Sequence, residues 1–219
     1  MILVPIKDLR GAKQRLSPIL SPHERSQLAR AMAEDVFDAV APFASSPGVA
    51  VVSGDPWASL QAKARTFTII VDDRQQGETA AIELGTSYCL NSGADFSVVF
   101  PADIPLITAA EVQRVFDSIP ARGCVIVPAA DGRGTNAILR RPADLIPLRF
   151  GNDSLLPHLA AARVTGHDVV VLDDLPGIAL DVDRPDDLAT LLALPIRSRA
   201  QRLLIDWQIP ARLEQAAHA

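Results

Sequence analysis

The chain has 219 residues, 48% of them apolar and 21% charged, and its 21 Lys and Arg against 26 Asp and Glu leave a net charge of −5. That balance is globular and long enough to bury a sizeable core. The acidic excess excludes a general polyanion-binding surface, so no nucleic-acid partner is expected. Two cysteines, Cys89 and Cys124, are too few for a disulfide framework or a structural zinc site, and both read as small buried hydrophobes.

In chain order, residues 2–4 form a short buried run ending at Pro5, and Lys7, Asp8 and Arg10 follow at once. That start falls short of the roughly 7–15 apolar residues of a secretory leader. No apolar run approaches the ~20 residues of a membrane span. The expectation is a cytoplasmic protein with no membrane partner. Ser21-Pro22-His23-Glu24 matches a capping box with proline at the first helical position. Behind it Leu28, Met32, Val36 and Val40 recur every four residues, as one amphipathic helix face requires. Residues 49–52 read as a second buried strand, closed by Ser53-Gly54-Asp55-Pro56, and a short helix over 57–65 leads to a strand over 67–71. Residues 77–90 read as a helix and 96–100 as a strand. Thr108 and Glu111 form a second capping box opening a helix to residue 118, and residues 125–127 and 136–139 read as two further strands. The chain divides into a domain over 1–195 and a helical tail over 196–219. In the tail Leu203, Trp207 and Ile209 would dock on the chain's own core or on a second copy, as in a homodimer.

This alternation predicts an α/β fold: a mixed, mostly parallel sheet covered by helices on both faces in a three-layer sandwich. Ligands of such sheets bind beyond the carboxyl ends of the strands. The polar residues there are Lys7, Ser53, Asp55, Asp72, Asp73 and Asp103.

Four features carry chemistry. The loop after the first strand packs Lys7, Arg10, Lys13 and Arg15 into nine residues of an acidic protein. Such cations neutralise a polyphosphate, although a solvated basic loop has the same composition. It lacks the glycines and the Gly-Lys-Ser/Thr ending of a Walker loop. Asp103 follows a very apolar strand between Pro101 and Pro105, which presents one rigid oxygen ligand of the kind Mg²⁺ takes, or a turn cap. In an extended segment Asp181 and Asp183 point to one side and repel unless a cation joins them. Asp186 and Asp187 read as caps of the helix that follows. Gly132-Arg133-Gly134-Thr135-Asn136 and Arg149-Phe150-Gly151-Asn152-Asp153-Ser154 offer N–H and hydroxyl donors for a phosphate or carboxylate, with Ser154 at a helix start. His158, four residues on, reads as a packed helix residue rather than a base. His23, His167 and His218 have no partner readable in the sequence.

Together and in this order these segments resemble the 2-phospho-L-lactate, phosphoenolpyruvate or 3-phospho-D-glycerate guanylyltransferase family of coenzyme F420 biosynthesis. The carriers are Val4-Pro5-Ile6-Lys7 with Ala12-Lys13-Gln14-Arg15-Leu16-Ser17-Pro18, the Leu20-Ser21-Pro22-His23-Glu24-Arg25 cap, Pro101-Ala102-Asp103-Ile104-Pro105-Leu106, Asp131 to Ala137, Arg149 to Ser154 and Leu180-Asp181-Val182-Asp183. The likeness runs from Ile2 to Leu192.

The resemblance implies a nucleotidyltransferase fold of the glycosyltransferase-A, Rossmann-like type and Mg²⁺-dependent use of GTP. It implies metal ligands at Asp103, Asp181 and Asp183. Catalytic groups would be Lys13, Arg15 and Asp103, with the nucleotide over Pro5, Lys7, Lys13, Arg15, Ser53, Gly77 and Pro101. A small phosphorylated three-carbon acid would lie near Thr135, Asn136, Gly151 and Ser154, and a downstream transferase would take the labile product. One departure stands out. Gly77-Glu78-Thr79 occupies the place of the family's Gly-Leu-Asn, which favours 3-phospho-D-glycerate as acceptor. The alternatives are a molybdopterin- or sugar-phosphate nucleotidyltransferase of the same fold, a non-catalytic nucleotide-binding regulatory module, and a glycosyltransferase using Asp181-Val182-Asp183. The first of these usually carries a glycine-rich first loop, which this chain lacks.

Overall fold

The computed structural model describes residues 1–151 and 153–217, the last four of these as backbone only. Asn152 and His218 lie outside the described residues. Within them one seven-stranded sheet has the order β3-β2-β1-β4-β6-β5-β7. The strands are β1 (Ile2–Ile6), β2 (Val49–Ser53), β3 (Thr68–Val71), β4 (Ser97–Val99), β5 (Gly123–Pro128), β6 (Thr135–Arg141) and β7 (Asp168–Val171). Pairing is parallel throughout except at β6, which runs antiparallel to both β4 and β5.

Alternation along the strands builds two cores. Ile2, Val4 and Ile6 of β1 face α1 (Pro22–Val40), α2 (Pro56–Ala64) and α4 (Ala109–Asp117) through Val36, Phe37, Ala58, Ala62, Val112 and Val115. Leu3, Ala50 and Val52 point the other way, toward α3 (Glu78–Asn91) and α5 (Leu155–Val164), where they meet Ala81, Ile82, Leu155 and Ala162. The result is the expected three-layer sandwich. The capping boxes at Ser21/Glu24 and Thr108/Glu111 both form, because each hydroxyl takes a first-turn N–H that the helix cannot satisfy itself.

A third apolar cluster joins α1 to the C-terminal helices. After α6 (Pro176–Ala179) come α7 (Pro185–Ala193), α8 (Arg199–Asp206) and α9 (Ile209–Ala217). Leu28 and Met32 of α1 pack there with Leu188, Leu191, Leu204 and Ile209. The carboxylate of Asp35 accepts the N–H groups of Arg199 (2.9 Å) and Ala200 (3.0 Å), which caps α8. This docking on the chain's own core answers one question the sequence left open. Strand β7 was not expected, although Val169-Val170-Val171 is a β-branched run of the right length. Among the described residues no helix is long and apolar enough to cross a membrane.

The reversed strand matters for the site. Because β6 runs against its neighbours, its first residues, Thr135 and Asn136, sit at the same sheet edge as the carboxyl ends of β1 and β4.

Candidate active site

At that edge a cleft of about 420 Å³ is lined by Pro5, Lys7, Lys13, Arg15, Pro101 and Asp103, with Asp183 and Glu78 among the further walls. The first loop is pinned at two points. Leu9 is buried and its N–H donates to Asp55 Oδ2 (3.3 Å), while Leu16 is fully buried in the third cluster. Between two short 3₁₀ turns, Leu9–Gly11 and Gln14–Leu16, Lys13 adopts the left-handed region (φ 53°). Such a conformation is uncommon for a non-glycine residue and persists where its surroundings fix it.

What fixes it is a double ion pair. The Lys13 ammonium donates to Asp103 Oδ2 and to Asp183 Oδ1, each at 2.6 Å. Burial alone would pull the lysine's pKa down, but the two carboxylates overcome it and hold it above its usual value. Burial likewise raises Asp183, and Lys13, with Arg15 and Lys7 behind it, outweighs that and leaves the carboxyl below the usual range. Arg15 reaches the other Asp183 oxygen at 3.6 Å. Arg10 behaves differently from the other three cations of the loop. It turns to solvent and forks onto Asp8 (2.7–3.1 Å), so three cations rather than four line the cleft.

Asp181 is held separately. Asn136 Nδ2 donates to its Oδ1 (3.0 Å) and to the carbonyls of Ala179 (2.8 Å) and Ile178 (3.1 Å). Burial raises the Asp181 carboxyl, and the like charges of Asp103 and Asp183 push the same way. Asp187 caps α7 by accepting the N–H groups of Asp183 (2.9 Å) and Arg184 (2.7 Å), which fixes the direction of Asp183. Among the described residues no three His, Cys, Asp or Glu side chains close on one point. Two carboxylates already converge on one cation, a third lies near, and all are hard oxygen donors. That set fits Mg²⁺, which commonly takes one or two carboxylates and completes its shell with water and phosphate oxygens.

Thr135 and Ser154 lie outside this cleft, in a buried group at the start of β6 and α5. The Thr135 N–H donates to Ser154 Oγ (3.0 Å), and Thr135 Oγ1 lies 3.0 Å from His158 Nδ1. Gly151 beside them has φ 130°, a conformation that favours glycine. Asn136 spends its amide on the Asp181 loop, and Ser53 accepts the N–H of Asp55 (3.0 Å), so neither of these side chains lines the cleft. Gly77 opens α3 just beyond the lining, and its neighbour Glu78 is the one that enters, 3.4 Å from Lys7 Nζ. Sequence reasoning treated Glu78 only as a departure from a pattern. Its place at the first turn of a helix that follows a strand was the available signal. Burial raises its carboxyl, Lys7 opposes this, and Asp103 adds to it.

The family model described as "Guanylyl transferase CofC like" matches residues 1–215. The chain belongs to this family. The match runs past Leu192, where the recognisable motifs end, and takes in most of the tail. A phosphoenolpyruvate guanylyltransferase of Rubrobacter xylanophilus is 38% identical over 87% of this chain and 92% of its own length. A 2-phospho-L-lactate guanylyltransferase of Methanothermobacter thermautotrophicus is 34% identical over 87% of this chain and 82% of its own length. Among solved structures, a Desulfovibrio desulfuricans protein assigned to the nucleotide-diphospho-sugar transferases superposes with a TM-score of 0.76 at 23% identity, covering 98% of this chain and 96% of that one. A nucleotidyl transferase of Methanothermobacter gives a TM-score of 0.57 at 17% identity, covering 87% and 95%. These two likenesses show the fold. As a guanylyl transferase of this family the chain is a nucleotidyltransferase.

Proposed function

We propose that the chain transfers GMP from GTP to the phosphate of a three-carbon phospho-acid and releases pyrophosphate, as a step in coenzyme F420 biosynthesis. One observation carries this reading: in a guanylyl transferase family member, Asp103 and Asp183 meet Lys13 at the carboxyl edge of β1 and β4. The curated relatives named for phosphoenolpyruvate and 2-phospho-L-lactate support the acceptor class.

An oxygen of the acceptor phosphate attacks the α-phosphorus of GTP in line. A P–O bond forms there, the bond from the α-phosphorus to the bridging oxygen breaks, and pyrophosphate leaves with that electron pair. The attacking oxygen is already ionised near pH 7, so no general base is required. Catalysis is then positioning and charge neutralisation. Lys13 and Arg15 neutralise the departing pyrophosphate, and Lys7 lies on the same wall. Asp103, Asp183 and the adjacent Asp181 would hold Mg²⁺, whose charge screens the α-phosphate from the incoming acceptor. Thr135, Gly151 and Ser154 receive the acceptor's anionic groups. Glu78 can accept a hydrogen bond from a hydroxyl, which favours 3-phospho-D-glycerate over the acceptors that lack one.

The test is pyrophosphate release from GTP and Mg²⁺ with 2-phospho-L-lactate, phosphoenolpyruvate and 3-phospho-D-glycerate in parallel, each with and without the downstream transferase that removes product. Acceptor-dependent release is expected. Absence of release with all three, across GTP, CTP, UTP and ATP, overturns the reading.

A further inference from the structure

The buried group at the start of β6 has a fixed hydrogen-bond polarity. The backbone N–H of Arg149 donates to His158 Nε2 at 3.0 Å. A backbone N–H has no choice of role, so Nε2 is the acceptor and the neutral ring carries its proton on Nδ1. Nδ1 lies 3.0 Å from Thr135 Oγ1, and that oxygen therefore accepts. Ser154 Oγ likewise accepts, from the Thr135 N–H at 3.0 Å. Both hydroxyl oxygens are thus engaged from inside the protein, and among the described residues neither hydroxyl proton has an acceptor. The ring is held in place as well as wired: His158 is 1% exposed and Phe150 meets it edge-on at 5.2 Å. Burial, with the charge of Arg140 adding to it, lowers its pKa to about 4, so the ring stays neutral at ordinary pH.

We propose that His158 is a positioning residue that commits the Thr135 hydroxyl, alongside that of Ser154, to donate outward, making this end of the site selective for an anionic acceptor. A hydroxyl left to itself both donates and accepts, so it tolerates neutral ligands. A ring protonated on Nδ1 fills one acceptor site of the Thr135 oxygen and cannot take the hydroxyl's proton, so that proton is left for a ligand acceptor, which suits a phosphate or carboxylate. The inference rests on the guanylyl-transfer reading for the identity of the acceptor, while the direction of the hydrogen bonds does not depend on it.

Two isosteric variants separate positioning from packing. Asn at residue 158 places an N–H near the Nδ1 position and keeps the bond to Thr135. Gln places an oxygen near Nε2 and keeps the acceptor for Arg149. His158→Asn is expected to leave the acceptor KM within about threefold of the parent, and His158→Gln to raise it about tenfold or more with the GTP KM unchanged, a difference in keeping with one lost hydrogen bond to a charged group. Thr135→Val is expected to match His158→Gln, and the double variant to be no worse than either alone. Equal effects of Asn and Gln, or a matching rise in the GTP KM, overturn the proposal. Long-range ¹H–¹⁵N spectra of the imidazole in the parent protein test the polarity without turnover. A neutral ring protonated on Nδ1 from pH 5.5 to 8 is expected, and protonation on Nε2 overturns the proposal. A parent protein with the expected tautomer and no pyrophosphate release would overturn the guanylyl-transfer reading, and with it the acceptor named here.

Discussion

The backbone N–H of Val182 donates to the carbonyl of Asp103 at 3.0 Å. This bond joins the two acidic segments, so Asp183, one residue beyond Val182, comes within reach of the same lysine as Asp103. Val182 itself is fully buried in the third cluster, beside Leu188 and Leu204. The helices after the sheet therefore position an edge of the cleft from behind.

Asp183→Asn keeps the shape of the side chain and removes its charge. It weakens the hold on Lys13 and Arg15 and takes one oxygen ligand from a divalent cation. Acceptor-dependent pyrophosphate release is expected to fall by about 10²-fold or more, the usual scale for a group that neutralises transition-state charge. Circular dichroism should show an unchanged fold. Near-normal turnover with Mg²⁺ would remove Asp183 from the mechanism.

Lys13→Met leaves Asp103 and Asp183 facing each other with no cation between them. The carboxylates are 29% and 40% exposed, so water relieves part of the repulsion. A loss of about 1–3 kcal/mol in urea unfolding is expected, below the range for a fully buried pair. Added Mn²⁺ should recover part of that loss, because a cation that binds only the folded state stabilises it. A variant as stable as the parent without metal would show that the double ion pair contributes nothing net.

Much of this site was legible residue by residue. Asp103 is marked by two prolines after a very apolar strand, and Asp181 and Asp183 by a spacing of two. The legible part stops where side chains from distant segments choose partners. Four cations in one loop looked equivalent, yet Leu9 and Leu16 anchor the backbone so that Lys13 turns inward and Arg10 outward. Glu78 was visible only as an unusual residue, because its neighbour Lys7 comes from the loop after β1, far away in sequence. His158 read as a packed helix residue, and it is packed. Its bonds to Thr135 and Arg149 depend on β6 running against its neighbours, a reversal that no local pattern encodes. The tail showed amphipathic spacing without a partner, and the partner proved to be α1, far away in sequence.

Asp35→Ala tests that docking apart from the chemistry. The carboxylate caps two N–H groups of α8, and Arg199 pairs with the neighbouring Asp38 at 2.5 Å. Loss of the cap is expected to cost about 1–2 kcal/mol in chemical denaturation. Hydrogen exchange should rise first in α8 and α9. Unchanged protection there would mean that the third apolar cluster holds these helices without the cap.

His158 gives the fold a pH dependence whose sign is fixed by its burial. The folded ring has a pKa of about 4 and the free side chain 6.5. Below pH 6.5 the unfolded chain therefore binds a proton that the folded one refuses. The stability due to the neutral ring is fully present above pH 6.5. It declines as the pH falls toward 4 and levels off below that. Between pH 7.5 and pH 5 the loss comes to about 2 kcal/mol. Carboxylates titrate in the same range, so the informative quantity is the difference between the parent and His158→Gln, which has no ionisable group at this position. The parent should lose about 2 kcal/mol more than the variant on going from pH 7.5 to pH 5, measured by urea unfolding at each pH. The variant itself should be less stable at pH 7.5 by about 1–2 kcal/mol, because Thr135 loses its donor. A parent-minus-variant difference that stays constant with pH would mean that the ring takes up its proton in the folded state as readily as in the unfolded one. The neutral, Nδ1-protonated imidazole that orients Thr135 would then not survive mild acid.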